Sequence, residues 1–203
     1  MKIAIIGASG RAGSRIITEA LARGHQVTAI ARNPEKIESR AGVVAKKGDL
    51  GHSASLAPLL KGHDAVISAV RFVGADATSL IEAVKQAGVK RLLVVGGAGS
   101  LEVAPGVMLI TTPQFPEVAK PEATAGLEFL NVLRNERELD WVFISPGALL
   151  APGERLGKYR LGKDQLLKDD SGKSWISMED FAIAMVDELE KPKHHRERFH
   201  VAY

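Results

Sequence analysis

The chain contains no cysteine, which excludes disulfides, thiol catalysis and metal or iron–sulfur sites built on thiolates. Aromatic residues make up only 5% of it, with two tyrosines, so phenolic proton donors are scarce. No apolar run reaches the roughly 18 residues that a membrane-spanning helix needs. The opening MKIAIIGASG is apolar but broken by glycine, and reads as a strand and a turn, not a secretory leader. Charge of one sign is not in excess either: 27 basic and 24 acidic residues leave +3, and no zinc-finger, helix-turn-helix or RNA-recognition pattern appears. Neither a nucleic acid nor a membrane is the expected partner. The expectation is a cytoplasmic globular protein, monomer or homodimer, whose partner is a small molecule.

What is present is an alternation of apolar strand-like runs and amphipathic stretches. Strands are predicted at Lys2–Ile6, Gln26–Ala31, Val43–Lys47, Ala65–Val70, Arg91–Val95 and Trp141–Ser145. Helices are predicted at Arg11–Arg23, Ser53–Leu60 with Ser53 as N-cap, Thr78–Gln86 and about Pro121–Glu136. Helices of this length between strands imply parallel pairing with right-handed crossovers. The unbroken apolar character of IAII, AVISAV and LLVV fits strands covered on both faces. The fold class is therefore α/β, a doubly wound parallel sheet. Residues 1–203 read as one domain, in which 146–203 form a small C-terminal cap on the substrate side. Within that region Ser177–Glu190 is a predicted helix, with Ser177 and Asp180 arranged as a capping box, and Arg198–Tyr203 is a predicted final strand.

The string Gly7-Ala-Ser9-Gly10-Arg11-Ala12-Gly13 follows the first strand directly and opens the first helix. Alone, a GxxGxxG string is weak, because glycine is common; between a strand and a helix it becomes strong. It predicts a Rossmann-type turn: a first glycine for the tight bend, a second for close approach to a pyrophosphate, a third for helix–strand packing. Main-chain N–H groups at the helix start would then face the phosphates.

The choice of dinucleotide is made near the end of the second strand, where an NAD site places a carboxylate for the ribose hydroxyls. Here the residues are Ile30-Ala31-Arg32-Asn33-Pro34. No carboxylate is present, and a guanidinium can bond a 2′-phosphate. Arg32, helped by Arg11 in the glycine turn, predicts NADP(H) over NAD(H).

The GxxGxxG spacing resembles the short-chain dehydrogenase/reductase superfamily, in particular its atypical members. Val94-Val95-Gly96-Gly97-Ala98-Gly99-Ser100-Leu101 is similar to the fifth-strand signature of the NADH-flavin reductase group among the NAD(P)H-binding, NmrA-like and biliverdin-reductase-B-like proteins. Ser145-Pro146, Gly157-Lys158-Tyr159-Arg160 and Ile176-Ser177-Met178-Glu179-Asp180 resemble the C-terminal pattern of that group, so the likeness spans nearly the whole chain. It implies that Asp49 and Leu50, in Gly48-Asp49-Leu50, lie beside the adenine, and that Ser68, Ala69 and Val70 pass the adenosine ribose. It implies further that Gly96 and Gly97 approach the nicotinamide and that Pro146 passes its carboxamide.

One departure matters. The catalytic Tyr-x-x-x-Lys of the superfamily is missing from its expected place, where Phe115-Pro-Glu-Val-Ala-Lys120 stands instead. The chain has only Tyr159 and Tyr203, and neither is expected to have a lysine four residues later. Reducing a ketone requires a placed proton donor, whereas a flavin, quinone or tetrapyrrole spreads the incoming charge over its rings. The expectation is an NADPH-dependent reductase of such an acceptor, with FMN or riboflavin as substrate and Ser100 as the candidate group that bonds its carbonyl. The rival is a non-catalytic NADP(H) sensor. No metal is expected: His194-His195 has cationic neighbours and no third ligand at a suitable spacing.

Overall fold

Strands that are apolar along their whole length need cover on both faces, and the chain provides it. The computed structural model describes all 203 residues. In chain order it contains β1 (Lys2–Ile6), α1 (Arg11–Ala22), β2 (Gln26–Ala31), β3 (Val43–Lys47), α2 (Ser53–Leu60), β4 (Ala65–Ser68), α3 (Ala77–Gln86) and β5 (Arg91–Val95). There follow β6 (Glu102–Ala104), β7 (Val107–Met108), α4 (Lys120–Asn135), β8 (Asp140–Pro146), β9 (Leu149–Ala151), β10 (Arg160–Gly162), β11 (Trp175–Ser177), α5 (Met178–Glu190) and β12 (Glu197–Ala202). The main sheet has the order β10-β12-β8-β5-β4-β1-β2-β3. All its neighbours are parallel except β10, which runs antiparallel to β12 at the edge.

Successive residues of a strand point to opposite faces, and the core divides accordingly. Ile3 and Ile5 of β1, Leu93 of β5 and Ile144 of β8 pack with Ile16 of α1 and Phe181 of α5. Ala4, Ile6, Leu92 and Phe143 pack on the other side with Leu56 of α2, Leu80 of α3 and Phe129 of α4. The result is a helix–sheet–helix sandwich, the doubly wound Rossmann arrangement that the alternation predicts. β1 lies between β2 and β4, so the strand order reverses there, and ligands of open α/β sheets bind at the C-terminal ends of strands beside such a reversal.

Several local expectations are corrected. β4 ends at Ser68 and not Val70, because the chain then leaves the ladder to pass beneath Gly7. In α2 the cap position is His52, and Ser53 is already helical, which takes its hydroxyl out of capping geometry. Helix α3 begins at Ala77, with the Asp76 carboxylate accepting from Thr78 N–H and Ser79 N–H at 3.1 and 3.0 Å. Ser177 does cap α5, its Oγ accepting from Asp180 N–H at 3.0 Å. The reciprocal half of that box is not made: the Asp180 carboxylate accepts from Gly157 N–H at 2.9 Å and Tyr203 O–H at 2.7 Å instead. The cap is also smaller than predicted. α5 packs beside α1, and β12 and β10 extend the main sheet, which leaves the β9–β11 ladder and the loop before β11 as its substance.

Candidate functional site: a dinucleotide cradle and an apolar cavity

The turn after β1 is built by close backbone approach. Gly7 has φ +79°, and a Cβ there would lie 2.6 Å from the Ala69 carbonyl oxygen. At Gly13 a Cβ would lie 2.4 Å from the Gly7 carbonyl oxygen, so helix α1 sits directly on the turn. The N–H groups of Gly7 and Ala8 both donate to Ile30 O, at 3.0 and 3.2 Å, and Gly10 N–H closes the turn onto Gly7 O at 3.0 Å. That leaves the N–H groups of Ser9, Arg11, Ala12 and Gly13 without a partner in the chain. Helix α1 has no side-chain cap and no acidic residue in its first turn. An unpartnered N–H array at a positive helix end is a cradle for an anion, and its residues fit a pyrophosphate.

Arg32 follows β2 by one residue, and the bonds to Ile30 O hold the end of that strand against the turn. Arg11 and Arg32 are exposed, and neither guanidinium takes part in any of the salt bridges that occupy most other arginines (Arg15 to Glu179, Arg23 to Asp187, Arg155 to Glu19). Asp49 is exposed, and its carboxylate accepts from Gly51 N–H at 3.4 Å. Leu50 turns inward, 4% exposed, and packs with Ile30 and Leu56. Ser68 is buried at the end of β4 with no partner for its Oγ. Ala69 and Val70 are half-buried against the glycine turn.

Across the sheet, Gly96 and Gly97 follow β5, and Pro146 ends β8. Ser100 does not face this opening. It is 8% exposed, and its Oγ accepts from Arg198 Nη1 at 3.2 Å, while Arg198 also pairs with Asp164. A buried guanidinium on β12 needs acceptors, and Ser100 supplies one; it is not among the groups that line the neighbouring cavity.

That cavity, of about 750 Å³, opens beside the end of β8. Its apolar walls are Leu109 and Phe115 on one side and Leu149 and Trp175 on the other, with Lys173 and Ser174 among its polar groups. The Asp169 carboxylate lies on its rim, held below the usual carboxylate range by hydrogen bonds from the Ser171 hydroxyl and from the N–H groups of Lys173 and Ser171. Phe115 and Trp175 were not expected as a pair. They are 60 positions apart in the sequence; Trp175 by itself reads as core or cap packing, or less readily as a contact to a ring ligand, and no local pattern links it to Phe115.

Contrary to the expectation that neither tyrosine has a lysine four residues later, a literal Tyr-x-x-x-Lys runs from Tyr159 to Lys163. It is not a catalytic pair. The segment is extended and enters strand β10, where residues four apart are separated by roughly 13 Å, in contrast to neighbours on a helix face. Tyr159 O–H donates to Asp187 on α5. Burial first, then that carboxylate, push its pKa well above the ordinary phenol value, the opposite of what a proton donor poised near neutrality requires. Lys120 pairs with Glu117 at 2.6 Å, and Arg71 lies 3.4 Å from Glu122. His194 and His195 each face a different carboxylate, Glu188 and Asp140, and no cluster of three or more metal-binding side chains exists. No helix is long and apolar enough to cross a membrane.

Comparison with known proteins agrees with this geometry. The profile of a family described as NAD(P)H-binding matches residues 7–192. An uncharacterised protein of Bacillus subtilis (strain 168), YwnB, is 42% identical over 99% of this chain and 98% of its own length. Among solved structures, a protein named "putative epimerase" from Bacteroides thetaiotaomicron is 49% identical, covers 100% of this chain and 96% of its own, and superposes with a TM-score of 0.95. One named "putative NADH-flavin reductase" from Streptococcus pneumoniae TIGR4 is 40% identical over 100% of this chain and 99% of its own, with a TM-score of 0.85.

Proposed function

The chain belongs to the NAD(P)H-binding family, and from that premise we propose that it is an NADPH-dependent reductase of a flavin or comparable conjugated acceptor. The observation that carries the reading is the unpartnered N–H array of Ser9, Arg11, Ala12 and Gly13 flanked by two arginines without ion pairs. In this reading those N–H groups hold the pyrophosphate, with Gly7, Gly10 and Gly13 giving the backbone its close approach. Arg11 and Arg32 take the 2′-phosphate, and Asp49, Ser68, Ala69 and Val70 flank the adenosine. Gly96, Gly97 and Pro146 leave room for the nicotinamide, whose reduced form supplies the hydride. Leu50 and Ser100 act indirectly, Leu50 by supporting the Asp49 loop from the core and Ser100 by anchoring Arg198.

The choice of acceptor follows from proton inventory. No tyrosine, histidine or cysteine lines the cavity, where Asp169 and Lys173 are the only ionisable groups. Reduction of an isolated ketone, or epimerisation through one, would lack the usual donor. A conjugated ring needs orientation more than proton transfer, because it delocalises the charge and water completes the protonation. Reductase is thus preferred here to the epimerase name carried by one structural relative. The same lack of a donor favours one rival, a protein that binds NADP(H) and signals its redox state to a partner.

The test is NADPH oxidation by purified protein, followed by absorbance, with FMN, riboflavin and a small quinone offered in turn. Saturable, protein-dependent oxidation is expected with at least one of them. Tight NADPH binding by calorimetry with no turnover on any would replace the reductase with the sensor.

A further inference from the structure

We propose that the cavity between the Leu109–Pro116 segment and the Ser171–Trp175 segment is the acceptor site, and that the indole of Trp175 is the platform on which a planar conjugated ring stacks. The inference rests on the reductase reading and adds to it the place and the residues of the second substrate.

Position is the first argument. The phosphate cradle stands at the C-terminal ends of β1 and β4. From β1 the sheet passes β4 and β5 to reach β8, a distance of roughly 14 Å at the usual strand spacing. That is the scale of an extended dinucleotide, whose nicotinamide half would run past Gly96 and Gly97 toward Pro146. The cavity begins there, since Ala148 and Leu149 on its wall follow β8 directly.

Chemistry of the walls is the second. About 750 Å³ lies within the usual range of small-molecule pockets. Leu149 is 58% exposed, and Leu109, Phe115 and Trp175 are each half-buried; together they form an apolar surface that a ring would remove from water. By contrast, the smaller cleft of about 260 Å³ between α1 and the segment after β9 has no hydrophobic side chain on its lining, and its Arg15, Glu19, Arg155 and Glu179 are already paired. It has nothing to offer a ring.

Rigidity is the third. Trp175 is held in β11 beside β9, with Leu149 N–H donating to Ser174 O and Tyr203 N–H donating to Trp175 O, both at 3.0 Å. Its ring meets that of Tyr203 edge-on, centroids 4.4 Å apart at 72°, a favourable aromatic geometry. Tyr203 is fixed in turn by bonds to Ser177 Oγ at 2.8 Å and Asp180 Oδ2 at 2.7 Å. Beneath the strand, a Cβ at Gly147 would lie 2.7 Å from the Trp175 backbone, so only glycine admits this approach. The indole packs at a steep angle against Tyr203, and the residue also lines the cavity. A side chain so supported loses little entropy when a ligand stacks on it.

The experiment is calorimetric titration of riboflavin and, separately, NADPH into wild-type protein, Trp175→Ala, Trp175→Phe and Phe115→Ala. Riboflavin affinity is expected to fall about tenfold in each alanine variant, as for loss of an aromatic contact with its buried area. Trp175→Phe should recover most of that loss, and NADPH affinity should stay within about twofold throughout. Unchanged riboflavin affinity in both alanine variants overturns the inference, as does wild-type protein that binds no riboflavin. Parallel loss of NADPH affinity also overturns it, because the walls would then be supporting the fold and not an acceptor. The two readings fail separately. Wall-dependent riboflavin binding without turnover would sink the reductase and keep the site; turnover with an unaltered acceptor KM in both alanine variants would do the reverse.

Discussion

Arg32 makes no ion pair, although the chain pairs most of its arginines. An exposed guanidinium left without a carboxylate beside a phosphate cradle can discriminate between two dinucleotides that differ by one phosphate, because charge-assisted bonds to that phosphate have no counterpart in the other cofactor. Arg32→Asp is therefore expected to weaken NADPH binding by about tenfold or more, the scale of one to two charged hydrogen bonds. NADH binding should change far less. Equal losses, measured by calorimetry, would remove the basis for an NADP preference. Single-residue geometry also explains the glycine turn: at Gly7 both the positive φ and the nearby Ala69 carbonyl exclude a side chain.

Between elements, the clamp joining β5, α5 and the loop before β12 is the main polar tie. Arg91, at the start of β5, donates to Glu188 Oε1 at 2.7 Å, to Asp140 Oδ2 at 2.9 Å and to His194 O at 3.0 Å. Glu188 also accepts from the N–H groups of Lys193 and His194, each at 3.0 Å. The Glu188 side chain is 4% exposed and that of Arg91 10%, so removing Glu188 leaves a buried donor of Arg91 and partly buried donors of Lys193 and His194 without their acceptor. Glu188→Ala is expected to cost about 3–5 kcal/mol in urea unfolding, and Glu188→Gln less, because it keeps an acceptor oxygen. A loss under 1 kcal/mol for the alanine variant would show that water replaces the carboxylate. The secondary structure at either end of this clamp was legible in the sequence, since β5 is a continuous apolar run and α5 an amphipathic one. Their pairing was not, because Arg91 and Glu188 are 97 residues apart and a lone charge at a strand start carries no sign of its partner.

For the whole molecule, acid sensitivity has an identifiable source. His200 on β12 is completely buried; its Nδ1 bonds Ser145 O at 2.9 Å, and Nε2 has no partner. Burial, foremost, holds its pKa below the ordinary imidazole value, and the charges of Arg198 and Arg160 act the same way. The folded state thus binds this proton less readily than the unfolded chain. Stability from this group is full above about pH 6.5 and is lost as the pH falls toward the folded pKa, at up to about 1.4 kcal/mol per pH unit. Urea midpoints across that range should therefore fall for the wild type and fall less steeply for His200→Gln. Identical slopes would assign the acid response to other groups.

The sequence by itself determined the features that depend on near neighbours. Turn and helix-end chemistry is local, so Gly7–Gly13 and the cap Ser177 could be read directly, and strand and helix periodicity set the order of the layers. It also showed no carboxylate at the end of β2, the observation from which the NADP reading of Arg32 is proposed. Only the tertiary structure decided what depends on distant backbone. It turned Leu50 into the core and Ser100 toward Arg198, and it gave Asp180 to Gly157 and Tyr203. It set Tyr159 and Lys163 on either side of the edge strand β10, and it brought Phe115 and Trp175 to one cavity. The strands β9, β10 and β11, which carry the C-terminal part of this arrangement, have three residues each, too few for a period to show. Their hydrogen bonds and their burial come from partners that no local pattern names.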